Sequence, residues 1–127
     1  MTAEPLPYDL IGGTDTVARL VDRFYDLMET DPAYAALRAL HKPDLAPMRA
    51  SLTGFLVAWL GGPRDWFDAR PGACVMSAHS GIGINADTAR QWIDAMARAM
   101  ADSGIEPALA HRIGDAFVQM ARGMARQ

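Results

Sequence analysis

Apolar residues recur every three or four positions along most of the chain, the spacing that lines one face of an α-helix. The first such stripe follows Gly12-Gly13 and runs through Val17, Leu20, Val21, Phe24, Leu27 and Met28. Thr14 or Asp15 stands ready as its N-cap, and it should stop near Thr30, because Asp31-Pro32 disfavours helical geometry before the proline. The same pair offers a new N-cap and a first-turn proline for a short helix, Ala33 to Leu40, which HKPD then breaks. A third helix, about Leu45 to Leu60, carries Leu45, Met48, Leu52, Phe55, Leu56 and Trp59 and ends at Gly61-Gly62-Pro63, a strong stop signal. Asn85 is placed to cap a fourth, striped by Ala89, Trp92, Ile93, Met96 and Met100 and closed by Ser103-Gly104. The fifth begins near Pro107 and carries Leu109, Ile113, Phe117, Met120 and Met124. No window alternates with period two between hairpin turns. The pattern therefore predicts an all-α fold with four substantial helices and short ones between them.

Between Arg64 and Asn85 the periodicity lapses, and long irregular connections in compact domains are often functional. This stretch holds ACVMSAHS at 73 to 80, in which His79 ends a short apolar run just ahead of a glycine-rich turn. A chain of 127 residues, half of them apolar and 21% charged, suits one globular domain, here expected to span residues 1–127. Its formal charge is −3, and its bases are almost all Arg scattered along the sequence, which does not make a nucleic-acid surface. The N-terminus, MTAEPLPYDL, lacks the regions of a signal peptide, and no apolar run is long enough to span a bilayer. A cytoplasmic protein, monomeric or homodimeric and without membrane contact, is expected. With Cys74 as the only cysteine, neither an internal disulfide nor a multi-cysteine zinc site can form. Histidine must do most of any metal binding.

Catalytic motifs of local spacing are absent: no GxSxG, HExxH, P-loop or CxxC occurs. The three histidines differ in setting. His111 flanks the stripe of the last helix and should face solvent. His41 ends a helix and can cap carbonyls or point inward. His79, among Val75, Met76, Ala78 and Ile82, would be desolvated and neutral, with a nitrogen lone pair available; that setting alone favours a hydrogen-bonded core histidine over a ligand. Tyr25 shares a face with Val21 and Met28, so its ring should be buried and its hydroxyl needs a partner. Trp92 brings an indole N–H that can only donate. Tyr25, Trp92 and His41 could thus put donors into an interior lined by Met48, Leu52, Phe55 and Met96. Such a pocket with one neutral imidazole suits a flat hydrophobic cofactor whose metal takes a single histidine.

Several segments taken together resemble a truncated haemoglobin of group II: IGG at 11–13, VDRFYDLM at 21–28, DP at 31–32, LRALH at 37–41, DLAPMRASLTGFL at 44–56, LGGPRDWF at 60–67, His79, and ARQWIDAM at 89–96. The resemblance covers nearly the whole chain. It implies a two-over-two helical sandwich, haem b as cofactor, and binding of oxygen or another diatomic ligand such as nitric oxide or carbon monoxide. It makes His79 the proximal iron ligand and Tyr25 and Trp92 the distal donors. His41 falls at the variable position opening the next region, and Met48 where other globins often keep a distal histidine. Leu45, Leu52, Phe55, Val75, Ile84 and Met96 complete the implied haem contacts. Donors set where a bound ligand gathers negative charge fit that reading.

The sequence departs from the family around His79. Where group II members carry GHP, a basic residue before the histidine and Pro-Phe after it, this chain has Pro71-Gly72-Ala73, Ala78 and Ser80-Gly81. Ser51 and Trp66 stand at further propionate positions, and Lys42, Arg49, Arg64 or Arg70 are the bases within reach to substitute. Looser haem binding is expected. Two alternatives stay open: an enzyme turning over nitric oxide or peroxide at the same site, which would need a separate reductase, and a haem-free sensor or interaction module.

Overall fold

The computed structural model describes residues 6–41, 43–69 and 85–125. In chain order these form α1 (Pro7–Ile11), α2 (Gly13–Thr30), a 3-10 turn (Pro32–Tyr34), α3 (Ala35–Ala39), α4 (Ala46–Trp59), α5 (Asp65–Asp68), α6 (Ala86–Asp102) and α7 (Pro107–Ala125). No strand occurs among the described residues. Helix α2 packs against both α4 and α6, and α6 packs on α7. The pairs α2–α4 and α6–α7 make the two layers of a two-over-two sandwich.

Every apolar position of the α2 stripe is buried, from Val17 to Met28. That stripe is the centre of the core because α2 packs on α4 in its own layer and on α6 in the other. In α6 the fully buried residues are Ala95, Met96, Ala99 and Met100, while Ala89, Trp92 and Ile93 are half-buried. The small side chains at 95 and 99 let α2 and α7 approach this helix closely. Leu109, Ile113 and Phe117 supply the inner face of α7.

The helix ends show where local chemistry decided the geometry. Asn85 accepts from the Thr88 N–H while the Thr88 hydroxyl oxygen accepts from the Asn85 N–H, a capping box. Asp31 accepts from the Ala33 N–H at 2.9 Å, so the expected break and restart hold, though the new helix opens as a 3-10 turn. At the other end of α4 the two glycines serve different needs. Gly61 sits at φ +102°, and the Gly62 N–H reaches back to the Val57 carbonyl at 2.9 Å, satisfying a terminal carbonyl. A Cβ on Gly62 would lie 2.6 Å from the Tyr8 ring, and Tyr8 N–H bonds the Leu60 carbonyl at 2.9 Å. Helix α1 is thus fastened to the end of α4.

Two expectations change. Helix α2 is capped by Gly12, at φ +111°, with no side-chain cap; Thr14 lies inside the helix and its hydroxyl pairs with that of Tyr8 at 2.7 Å. The short helices α1 and α5 were hidden from periodicity because a single turn is too short to show a repeat. Helix α7 begins at Pro107 as expected, with the Glu106 carboxylate just ahead of it accepting from the N–H groups of Ala108 and Leu109.

Candidate functional site

Tyr25 projects from the middle of α2, its ring buried beside Val21 and Met28. Its hydroxyl has no hydrogen-bond partner among the described residues; since no fully buried side-chain polar atom there is left unpaired, the ring is buried but the hydroxyl tip opens onto free space. Burial pushes the phenol pKa up to about 12, against a smaller opposing pull from Arg49; the ring stays neutral and able to donate. Three neighbours bound it. Phe24 meets it edge to face with centroids 5.0 Å apart, His41 does so at 5.9 Å, and the Arg49 guanidinium carbon lies 5.6 Å from its centre.

Trp92 approaches from α6, half-buried, with Phe24 set edge to face at 5.7 Å. Phe117 of α7 packs against its other side at 5.1 Å and stacks on Trp59 of α4 at 5.1 Å. A continuous run of rings therefore holds both donors in place, each such contact adding about 0.5–1.5 kcal/mol beyond burial. The indole N–H, like the Tyr25 hydroxyl, has no acceptor among the described residues. Two donors from two helices, linked through one phenylalanine, are thereby held without a protein partner.

His41 combines both readings offered for it. Its Nδ1 lies 2.9 Å from the Leu37 carbonyl; a carbonyl only accepts, so Nδ1 carries the hydrogen. The ring so fixed also faces Tyr25. Leu45 and Met96 are buried, Phe55 is nearly so, and Leu52 is half-buried against the same core. Met48 differs, being 37% exposed, because it lies in the first turn of α4, at the open edge of the stripe. His111 faces solvent, near Asp115 on its own helix. Val75, His79 and Ile84 lie outside the described residues, as do Lys42, Arg70 and Ala78. Among the described residues no group of three potential metal ligands occurs.

The residues near the expected propionate positions are engaged with one another. The Trp66 indole donates to the Ser51 hydroxyl at 3.0 Å. Gly54 makes this possible, since a Cβ there would come within 3.1 Å of the indole ring. Arg49 turns to α2, where it pairs with Asp22, Asp26 and Glu29, and is not directed as a substitute base for a propionate. That network was missed in the sequence. Acids at i, i+4 and i+7 were its visible trace, but a solvated helix face gives the same spacing.

The fold is that of a globin reduced to a two-over-two sandwich. Residues 7–126 match the model of the bacterial-like globin family, and the chain belongs to that family. It is 26% identical over 121 residues to the group 2 truncated hemoglobin YjbI of Bacillus subtilis (strain 168), covering 95% of this chain and 89% of that one. Among solved structures it is similar to the cold-adapted truncated hemoglobin of the Antarctic marine bacterium Pseudoalteromonas haloplanktis TAC125, with a TM-score of 0.92, 28% identity and coverage of 97% and 99% of the two chains. The group II 2-on-2 hemoglobin of the plant pathogen Agrobacterium tumefaciens superposes with a TM-score of 0.91 at 30% identity, covering 98% of this chain and 97% of that one. No helix among the described residues is long and apolar enough to cross a membrane.

Proposed function

We propose that the chain is a single haem-binding domain that takes dioxygen or another diatomic ligand, with His79 as the iron ligand and Tyr25 and Trp92 as the distal donors. The observation that carries this reading is the pair of donors from α2 and α6 that are held by aromatic packing yet have no acceptor among the described residues. The apolar side chains of Leu45, Leu52, Phe55 and Met96 fit a flat hydrophobic macrocycle. The haem would supply the iron that binds the ligand. Tyr25 would donate from its neutral hydroxyl and Trp92 from its indole, giving a ligand that gathers negative charge fixed dipoles that need no reorganisation. Phe24 packs against both Tyr25 and Trp92 and so keeps the two donors at a set separation.

One absorption spectrum of the protein purified with haem supplied tests this. A Soret band is expected in the wild type, lost in His79→Ala and retained in His41→Ala. Its absence in the wild type, or its survival in His79→Ala, would overturn the assignment. Tyr25→Phe and Trp92→Phe should each speed dioxygen release, by about tenfold or more, from loss of a hydrogen bond worth ~1.5 kcal/mol.

A further inference from the structure

We propose that Arg49 is a positioning residue for Tyr25: bound to three carboxylates of α2, it seats the phenol ring and fixes the direction in which its hydroxyl donates. The inference rests on the reading of Tyr25 as a distal donor.

Asp22, Asp26 and Glu29 fall at i, i+4 and i+7 on α2, and Tyr25 lies in the same patch, three residues after the first and four before the last. Arg49 crosses to them from the first turns of α4. One terminal nitrogen, Nη1, donates to the Asp22 carbonyl at 3.0 Å and to its carboxylate at 3.2 Å. The other, Nη2, donates to Asp26 at 3.0 Å and to Glu29 at 3.3 Å. A planar group tied at both ends cannot rotate about its long axis. Its carbon stands 5.6 Å from the centre of the Tyr25 ring, within cation–π range. The guanidinium is the more buried partner throughout, 25% exposed against 43% or more for the acids. Burial opposes its charge, but the hydrogen bonds it donates to Asp26 and Asp22 outweigh that and hold its charged form.

A network of charges can add some stability, but stability alone does not require a cation over a tyrosine ring. The distinct consequence of the clamp lies at Tyr25. With Phe24 on one side, His41 on another and the cation above, the ring has one orientation left. The charge also draws against the burial that makes the phenol a weaker acid, sharpening it as a donor. Arg49 from α4, His41 beyond α3, and Asp22, Asp26 and Glu29 on α2 are the charged or titratable groups grouped around this ring among the described residues.

The test compares wild type with Arg49→Gln, Arg49→Lys and, as a control, Asp102→Asn, which breaks the Arg23–Asp102 ion pair at 2.7 Å between α2 and α6 away from Tyr25. Fluorine NMR of protein carrying fluorotyrosine, with the Tyr25 line assigned by its loss in Tyr25→Phe, reads ring orientation directly. Arg49→Gln should shift and broaden that line, Arg49→Lys should restore part of it, and Asp102→Asn should leave it in place. In the carbon monoxide complex, Arg49→Gln should split or shift the C–O stretching band and speed dioxygen release about twofold to fivefold, the equivalent of ~0.5–1 kcal/mol for the cation–π contact. An Arg49→Gln protein that melts cooperatively with the Tyr25 line unchanged overturns the proposal, and so does an equal effect of Asp102→Asn. If Arg49→Gln does not fold, Asp26→Asn, which removes one carboxylate from the clamp, carries the same fluorine comparison. A wild type without a Soret band removes the haem reading alone; the fluorine experiment needs no haem and still decides what Arg49 does.

Discussion

Two buried tyrosines meet two arginines in this molecule, and the pairs are built differently. Tyr34, in the 3-10 turn, donates to the Asp94 carboxylate at 2.5 Å and accepts from Arg98 at 3.0 Å; Arg98 also bonds Asp31 at 2.7 Å. Its hydroxyl is used up on both sides in locking the turn to α6. Both guanidiniums lie over their ring, 5.6 Å from its centre at Tyr25 and 5.7 Å at Tyr34, but at Tyr25 the arginine nitrogens go only to α2 and the hydroxyl is left without a partner among the described residues. In both cases burial is the first cause of a raised phenol pKa. The Tyr34 hydroxyl is spent on structure, whereas the proposed role of Tyr25 needs its hydroxyl left open among the described residues.

The comparison makes both pairs subordinate to the rings between helices, and the largest effect should show this. Phe24, with no exposed surface, contacts both Tyr25 and Trp92. Phe24→Ala should cost about 3–5 kcal/mol in denaturant unfolding and disturb both donors together; a cost no greater than that of breaking an ion pair would mean that the charged clamps hold the sandwich. Next comes Tyr34→Phe, which leaves Asp94 and Arg98 without their shared hydroxyl and should cost about 1–2 kcal/mol.

A smaller effect is expected on the acid side. The hydrogen bond from Arg98 holds the Asp31 carboxyl below its ordinary value of 3.8. The stabilisation is present above pH 3.8 and is lost as pH falls through the lower, folded value. Asp31→Asn keeps the oxygen that caps Ala33 but loses the charge, so the acid limb of a melting-temperature profile should flatten. Smallest of all at neutral pH should be Tyr25→Phe, within about 0.5 kcal/mol of wild type, since no hydrogen bond among the described residues is lost. Its signature lies at high pH. The folded phenol titrates at about 12 against an ordinary 10.0, so its contribution is complete below pH 10 and lost between 10 and 12, and the variant should lose less stability across that window. A Tyr25→Phe cost equal to that of Tyr34→Phe would erase the distinction between the two tyrosines.

Periodicity and the capping residues determined a great deal by themselves. The long helices follow the stripes, glycines and prolines to within about a residue, because caps act over a single turn; the exception is the start of α2, capped by Gly12 two to three residues ahead of Thr14 or Asp15. The stripes also placed Tyr25 in the core, and residue type made its hydroxyl a donor. What no local pattern contains is the company each side chain keeps. Arg49 meets acids 20 to 27 residues away, and Tyr34 meets Asp94 across 60. Single-turn helices α1 and α5 exist through contacts with α4, its C-terminal glycines and Gly54, not through their own repeats. Helix periodicity assigns a residue to a face; only the crossing of two helices decides whether a polar atom on that face is satisfied or left to bind something else.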